Sequence, residues 1–198
     1  MKKFGTLSLL AGSVALLSSC STTSEEPGRD SINYTIPPSL CGTEISQDLY
    51  SAVLPQGDSI DVEDRSRERS DGYTSPVGNC FLHVDGSTAL TLHSIPSEDG
   101  IGLAGYHDAL TRGIEESEEI ETDDGWEARV WPNFVAVHVN CTGSERNYTG
   151  INLSIRLDWL TGEQDYSEPL ADLIIPYTEK RIADLPPDSC AVDEKAVP

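Results

Sequence analysis

Apolar positions along the chain change period several times, and each change marks an element. Ile45, Leu49 and Val53 recur at helical spacing until Pro55-Gln56-Gly57 stops the run, which predicts a first helix. Residues 58–78 are charged and poor in apolar side chains, so an exposed loop is expected there. Residues 80–85 and 88–95 are rich in β-formers and meet at Asp85-Gly86, a tight-hairpin signal. Leu103, Tyr106, Leu110 and Ile114 return to the helical period, and Asp123-Asp124-Gly125 joins two further short strands. Val135, Val137, Val139 and Cys141 alternate along one strand face, as do Ile151, Leu153, Ile155, Leu157 and Trp159. Residues 167–185 predict a last helix, kinked or entered at Pro176, that buries Leu170, Leu173, Ile174, Tyr177 and Ile182. The order α-β-β-α-β-β-β-β-α implies an α+β domain, an antiparallel sheet packed by helices on one face.

The first residues do not belong to that pattern. Lys2 and Lys3 precede an uncharged apolar or small run, residues 4–17, which is too short to span a bilayer. It ends in Leu17-Ser18-Ser19-Cys20, which resembles the lipobox of bacterial lipoproteins. The resemblance implies that residues 1–19 are a signal peptide, cleaved once the Cys20 thiol carries diacylglycerol. Palmitate-type chains contribute about 0.8 kcal/mol per buried methylene, and two or three of them anchor stably. The competing interpretation is an ordinary secretory signal with a chance cysteine. Residues 20–37 are polar and are expected to form a tether holding the domain about 20–25 Å from the bilayer. Pro37-Pro38 then opens residues 38–198, a length that suits one domain with one core.

Charge narrows the partners. The chain has 13 Lys+Arg against 34 Asp+Glu, a formal charge of −21. Loss of residues 1–19 leaves 11 against 34, or −23. Such a surface repels phosphate polyanions and anionic headgroups, which excludes nucleic acid and leaves lipid as the route to the membrane. An envelope protein or a cationic ligand is compatible with it. Glu115, Glu116, Glu118, Glu119, Glu121, Asp123 and Asp124 form the densest acidic stretch, without the Asp-x-Asp-x-Asp-Gly loop that shapes a calcium site. We therefore expect solvated surface there. Arg65, Arg67 and Arg69, the basic cluster, balance local acids. The Asn-x-Ser/Thr triplets at Asn33, Asn140, Asn147 and Asn152 are coincidental in a bacterial chain.

Beyond Cys20, the cysteines are Cys41, Cys80, Cys141 and Cys190, with no C-x-x-C to suggest zinc or thioredoxin-like chemistry. An even number of widely spaced cysteines in an exported chain predicts two disulfides. Three connectivities are open. We favour Cys41–Cys80 and Cys141–Cys190, because each ties a flanking helix to the sheet. Each closure is worth roughly 3–4 kcal/mol in the chain-entropy model.

Candidate chemistry is sparse. Strand parity sets His83 and Asp85 opposite Leu82 and Val84, and His138 opposite Val137 and Val139. A His83–Asp85–His138 cluster on one sheet face is the available metal or acid–base site. The alternative is polar residues scattered on a solvated face, where losing both histidines costs under about 1 kcal/mol. Parity leaves the face of His93 open. Gly-x-Ser-x-Gly and Ser-x-x-Lys motifs are absent. Trp126 and Trp131 are expected in the core rather than in a ligand groove. No catalytic residue, metal or cofactor is assigned.

Several short motifs carry a wider resemblance. They are Leu40-Cys41-Gly42 opening a helix, Cys80-x-x-x-Val84-Asp85-Gly86, Glu127-Ala128-Arg129-Val130-Trp131, and Val135-x-Val137-x-Val139-x-Cys141. Residues 38–190 thereby resemble small uncharacterised lipoproteins of the actinobacterial cell envelope. Those are similar in layout to the mycobacterial Lpq and Lpp lipoproteins with a PsbP-like α+β sandwich. The resemblance implies the fold and the membrane address and supplies no catalytic residues. The expected function is a lipid-anchored, extracytoplasmic, non-catalytic binding or adaptor module. The alternative is an envelope enzyme or metal-binding protein using the polar sheet face.

Overall fold

The computed structural model describes residues 32–65, 78–97, 114–141, 149–185 and 190. Cys20, the apolar run before it and the helix expected around Leu103–Leu110 lie outside the described residues. The elements are α1 (Gln47–Ser51), β1 (Ile60–Asp64), β2 (Gly78–Val84), β3 (Ser87–Ser97), β4 (Glu118–Ile120), β5 (Glu127–Trp131), β6 (Phe134–Asn140), β7 (Gly150–Leu157) and α2 (Ser167–Ala183), with a 3-10 turn at Ile114–Glu116. All seven strands pair antiparallel in one sheet, ordered β1-β2-β3-β7-β6-β5-β4.

Register explains the core. Cys80 lies opposite Leu92, Leu92 opposite Ile155, Ile155 opposite Val135, and Val135 opposite Val130, so one row crosses five strands on a single face. Leu170, Leu173, Ile174 and Tyr177 of α2 cover that face, with Tyr50 of α1 and Val53 beside them. Each fully buried Leu or Ile there contributes about 1.5–3 kcal/mol. Pro176 sits inside α2, which continues to Ala183. Its buried side also takes in Thr178 and Arg181, while Ile182 is only half-buried. α1 is shorter than its periodicity suggests and buries Tyr50 deeply, leaving Ile45 and Leu49 partly exposed.

The β2–β3 hairpin turns as its sequence demands. Asp85 and Gly86 both have positive φ, 50° and 78°, the conformation of a two-residue type I′ turn. The Asp85 carboxylate then accepts from the Asp58 N–H at 3.0 Å, the Ser59 N–H at 2.9 Å and the Ser59 hydroxyl at 3.1 Å. These donors hold it below the usual carboxylate range, the Asp58 N–H most strongly. Gly57 approaches so closely that a Cβ there would lie 2.3 Å from Val84 Cγ1. Residues 57–59 are thus fastened to the hairpin and lead directly into β1.

That strand corrects the loop expected over residues 58–78. An edge strand pairs through its main chain, so Asp61, Glu63 and Asp64 keep their carboxylates outside while Ile60 to Asp64 register against Val84 to Cys80. The start of the domain also moves. Ile32 bridges to Gly57, the Asn33 N–H donates to Gly57 O at 3.0 Å, and buried Tyr34 donates its hydroxyl to Pro55 O at 2.7 Å. The tether therefore does not extend to residue 37, because Ile32, Tyr34 and Ile36 alternate like a strand and pack on the core.

Cysteines pair as Cys41–Cys80 and Cys141–Cys190, the favoured connectivity. The first ties the turn before α1 to β2, and the second ties the end of β6 to the chain beyond α2.

The second sheet face is not the solvated surface expected of a sheet covered on one side. Both described helices lie on the first face, yet Thr91, Ala136, His138, Asn152 and Ser154 on the second are buried. Trp131 and Phe134, 5.3 Å apart, form a small cluster with Ala136 there, and Trp126 joins the main core.

Candidate functional site

The histidine cluster does not form. His83 registers with Thr88 on β3, whereas His138 registers with Asn152, which faces Ile95. Three strand spacings of about 4.8 Å and seven residues of about 3.3 Å separate the two rows, upwards of about 20 Å. Asp85 is engaged in the turn described above. His83 is half-buried over Phe81, with Nδ1 3.3 Å from Thr88 Oγ1 and Nε2 3.4 Å from Glu63 Oε2. Glu63 in turn accepts from the Arg65 Nε–H at 2.7 Å, which is the main reason its carboxyl is held low. His93 shares the second face, with Nδ1 2.8 Å from Asn79 Oδ1.

His138 overturns the solvated-histidine expectation. It is only 4% exposed, with Nδ1 2.6 Å from Asn152 Oδ1 and Nε2 3.2 Å from Asn140 Oδ1. Gly150 lies under the ring, and a Cβ there would fall 2.3 Å from its Cε1. Buried polar groups are stable where they satisfy one another, and this set does so without a third ligating side chain. Among the described residues, no group of three or more His, Cys, Asp or Glu side chains is placed to hold a metal ion.

A concave site lies instead at the opposite margin of the main core. Leu40 and Thr43 exchange backbone hydrogen bonds of 3.0 and 3.1 Å across Cys41 and Gly42, whose φ values of 54° and 76° make a second type I′ turn. The Cys41–Cys80 disulfide fastens this turn to β2, and Cys80 registers with Asp64 at the end of β1. The last turn of α2 completes the wall. Between them is a cleft of about 470 Å³, lined by Cys41 and Gly42 and by the charged side chains of Glu44, Asp64, Lys180, Arg181 and Asp184.

Arg181 is the unusual member, a cation only 6% exposed. Buried Thr43, Tyr177 and Thr178 belong to the same part of the core. Burial pushes the Tyr177 phenol up, and the Arg181 guanidinium partly opposes this by favouring the phenolate. Lys180 and Arg181 also stand at a helix C-terminus, where the backbone dipole favours cations. The described lining offers charge of both signs, and its one sulfur is held in a disulfide.

No family model, curated protein or solved structure matches this chain. Among the described residues, no helix is long and apolar enough to cross a membrane.

The cleft's geometry is not legible along the chain, because its walls come from residues 41–44, 64 and 180–184. One signal was present. Lys180-Arg181 is the only adjacent pair of cations after Lys2-Lys3 in a strongly acidic chain.

Proposed function

We propose that the chain is a bacterial lipoprotein held on the extracytoplasmic face of the cell membrane through acylated Cys20. Its α+β domain, PsbP-like in layout, is a non-catalytic binding or adaptor module. The observation that carries this is the cysteine distribution. Five cysteines are present, and two disulfides use the four inside the domain. The one left over follows the uncharged run of residues 4–17, where the lipobox-like Leu17-Ser18-Ser19-Cys20 needs a thiol. Paired cysteines suit an oxidising compartment outside the cytoplasm, which supports the same address. The cleft supports the binding role, since it gathers fixed charges of both signs around a concave space.

Metabolic labelling with an alkynyl palmitate tests the anchor. The wild-type protein should take the label and lose residues 1–19. Cys20→Ser should remain unlabelled and at precursor length; a labelled, processed Cys20→Ser protein would refute the assignment.

A further inference from the structure

We propose that the outer edge of β1 receives an extended cationic segment of an envelope protein as an additional strand of the sheet. The segment alternates apolar residues with Lys or Arg. The proposal rests on the binding-module function above and names its surface and its partner.

Register determines which main-chain groups β1 leaves open. The Asp85 N–H donates to Ser59 O at 3.1 Å and the Arg65 N–H to Asn79 O at 2.8 Å, both in line with the β1–β2 register. Hydrogen-bonded pairs recur at every second residue of an antiparallel ladder, so Asp61 and Glu63 also turn their N–H and C=O groups to β2. Those of Ile60 and Val62 point the other way, where no strand follows β1 among the described residues. The Ile32 bridge reaches only Gly57 and stops short of them.

Exposed edges usually carry a device against strand addition, such as shortness, a proline, a bulge or charge. β4, at the far edge, is three residues long. β1 runs for five residues in unbroken register, with neither proline nor bulge. Val62 stands on it at 36% exposure, the one large apolar side chain exposed among the described residues. Acids are the guard that remains, and they guard selectively. Asp61 and Glu63 lie on the face opposite Val62, so pairing with a second copy of β1 would set acids against acids, which is destabilising. Lys or Arg at the same positions is favourable. Glu63 already meets Arg65 and His83, so Asp61 gains more from a new cation. The formal charge of −21 over the chain draws in a cation-rich segment and repels an acidic one. Alternate side chains of the incoming strand then meet Val62 with an apolar group and Asp61 with a cation.

Isothermal titration calorimetry and NMR hydrogen exchange on the full chain, in micelles of an uncharged detergent, test this. The probe is acetyl-Lys-Val-Lys-Val-Lys-Val-amide. The same sequence N-methylated throughout, and acetyl-Glu-Val-Glu-Val-Glu-Val-amide, are the comparisons. The Lys peptide should bind and slow exchange at the Ile60 and Val62 amides, and both comparisons should bind at least about tenfold more weakly. Val62→Pro removes one outward N–H and spares the ladder to β2, so it should fold and weaken the Lys peptide about tenfold. Asp61→Lys, at an exposed position, should weaken it similarly and decides the matter if Val62→Pro does not fold. Binding unaffected by N-methylation would reduce the interaction to charge alone and overturn the proposal. Equal affinity for the Glu peptide, indifference to both variants, or protection confined to other amides would overturn it too. So would dimerisation of the chain that Val62→Pro abolishes, since a second copy would then hold the edge. If the Lys peptide does not bind, the edge proposal falls. Envelope proteins still retained on the immobilised chain, and equally by Val62→Pro, would then leave the binding-module function standing; no retention would remove that as well.

Discussion

Removing one disulfide at a time measures what each contributes, and the structure gives both the size and the symmetry of the effect. Cys41–Cys80 closes a loop of 39 residues in sequence separation, and Cys141–Cys190 one of 49. In the chain-entropy model each closure is worth about 4 kcal/mol at 25 °C, and the two differ by only about 0.2 kcal/mol, because the dependence on length is logarithmic. Alanine is the replacement of choice. All four cysteines are buried, and a serine hydroxyl there would add a desolvation cost of about 1–3 kcal/mol. For a domain of this size about 4 kcal/mol corresponds to a fall in Tm of roughly 8–16 °C. Urea titrations and circular dichroism melts of Cys41→Ala/Cys80→Ala and Cys141→Ala/Cys190→Ala, each in the mature protein, supply the comparison. Thiol titration of the denatured, non-reduced wild type should read near zero. A loss under about 1 kcal/mol for either pair would show that its bond does not constrain the unfolded chain. An asymmetry above about 1.5 kcal/mol would refute the entropic account and place the energy in the folded state, with the left-handed Cys41 turn the first place to look.

Two further substitutions probe the packing of the sheet. Gly150→Ala should cost about 1–3 kcal/mol, because its methyl would meet both the His138 ring and, at 2.8 Å, the Val139 carbonyl oxygen; a His138→Ala background should remove the ring's share and leave the main-chain share, and equal costs in both backgrounds would contradict the close approach of the ring. Asp85 has a folded pKa below its unfolded value, so its contribution is present above the ordinary carboxylate range and is lost as pH falls through the folded value. Asp85→Asn should therefore flatten the decline in stability as pH falls below the ordinary carboxylate value of about 3.9, read from urea midpoints, and an unchanged acid slope would disprove the turn's role.

What the sequence revealed depended on whether an element announces itself through side chains. β6 and β7 were legible because Val135, Val137, Val139 and Ile151, Leu153, Ile155 alternate without interruption, and Asp85-Gly86 marked its own turn. β1 was hidden because an edge strand is defined by main-chain pairing, and Asp61, Glu63 and Asp64 look like a loop. The Ile32-Tyr34-Ile36 alternation was present but short, set against the polar residues before it. His138 was assigned the correct face and the wrong environment. Parity tells which way a ring points, not whether Asn140 and Asn152 close around it. The cleft was the least accessible of all, since its parts meet only after the first disulfide and the 40–43 turn bring distant positions together.

The two disulfides are consecutive rather than nested or interlaced, and this decides how the molecule responds to a protease. A single cut between residues 42 and 79, or between 142 and 189, leaves both fragments joined through sulfur. Only cuts before Cys41, between Cys80 and Cys141, or after Cys190 leave pieces with no covalent link between them. In a chain anchored as proposed, one cut before Cys41 would release both covalent rings together, and damage within either ring would stay silent until a reductant reached it.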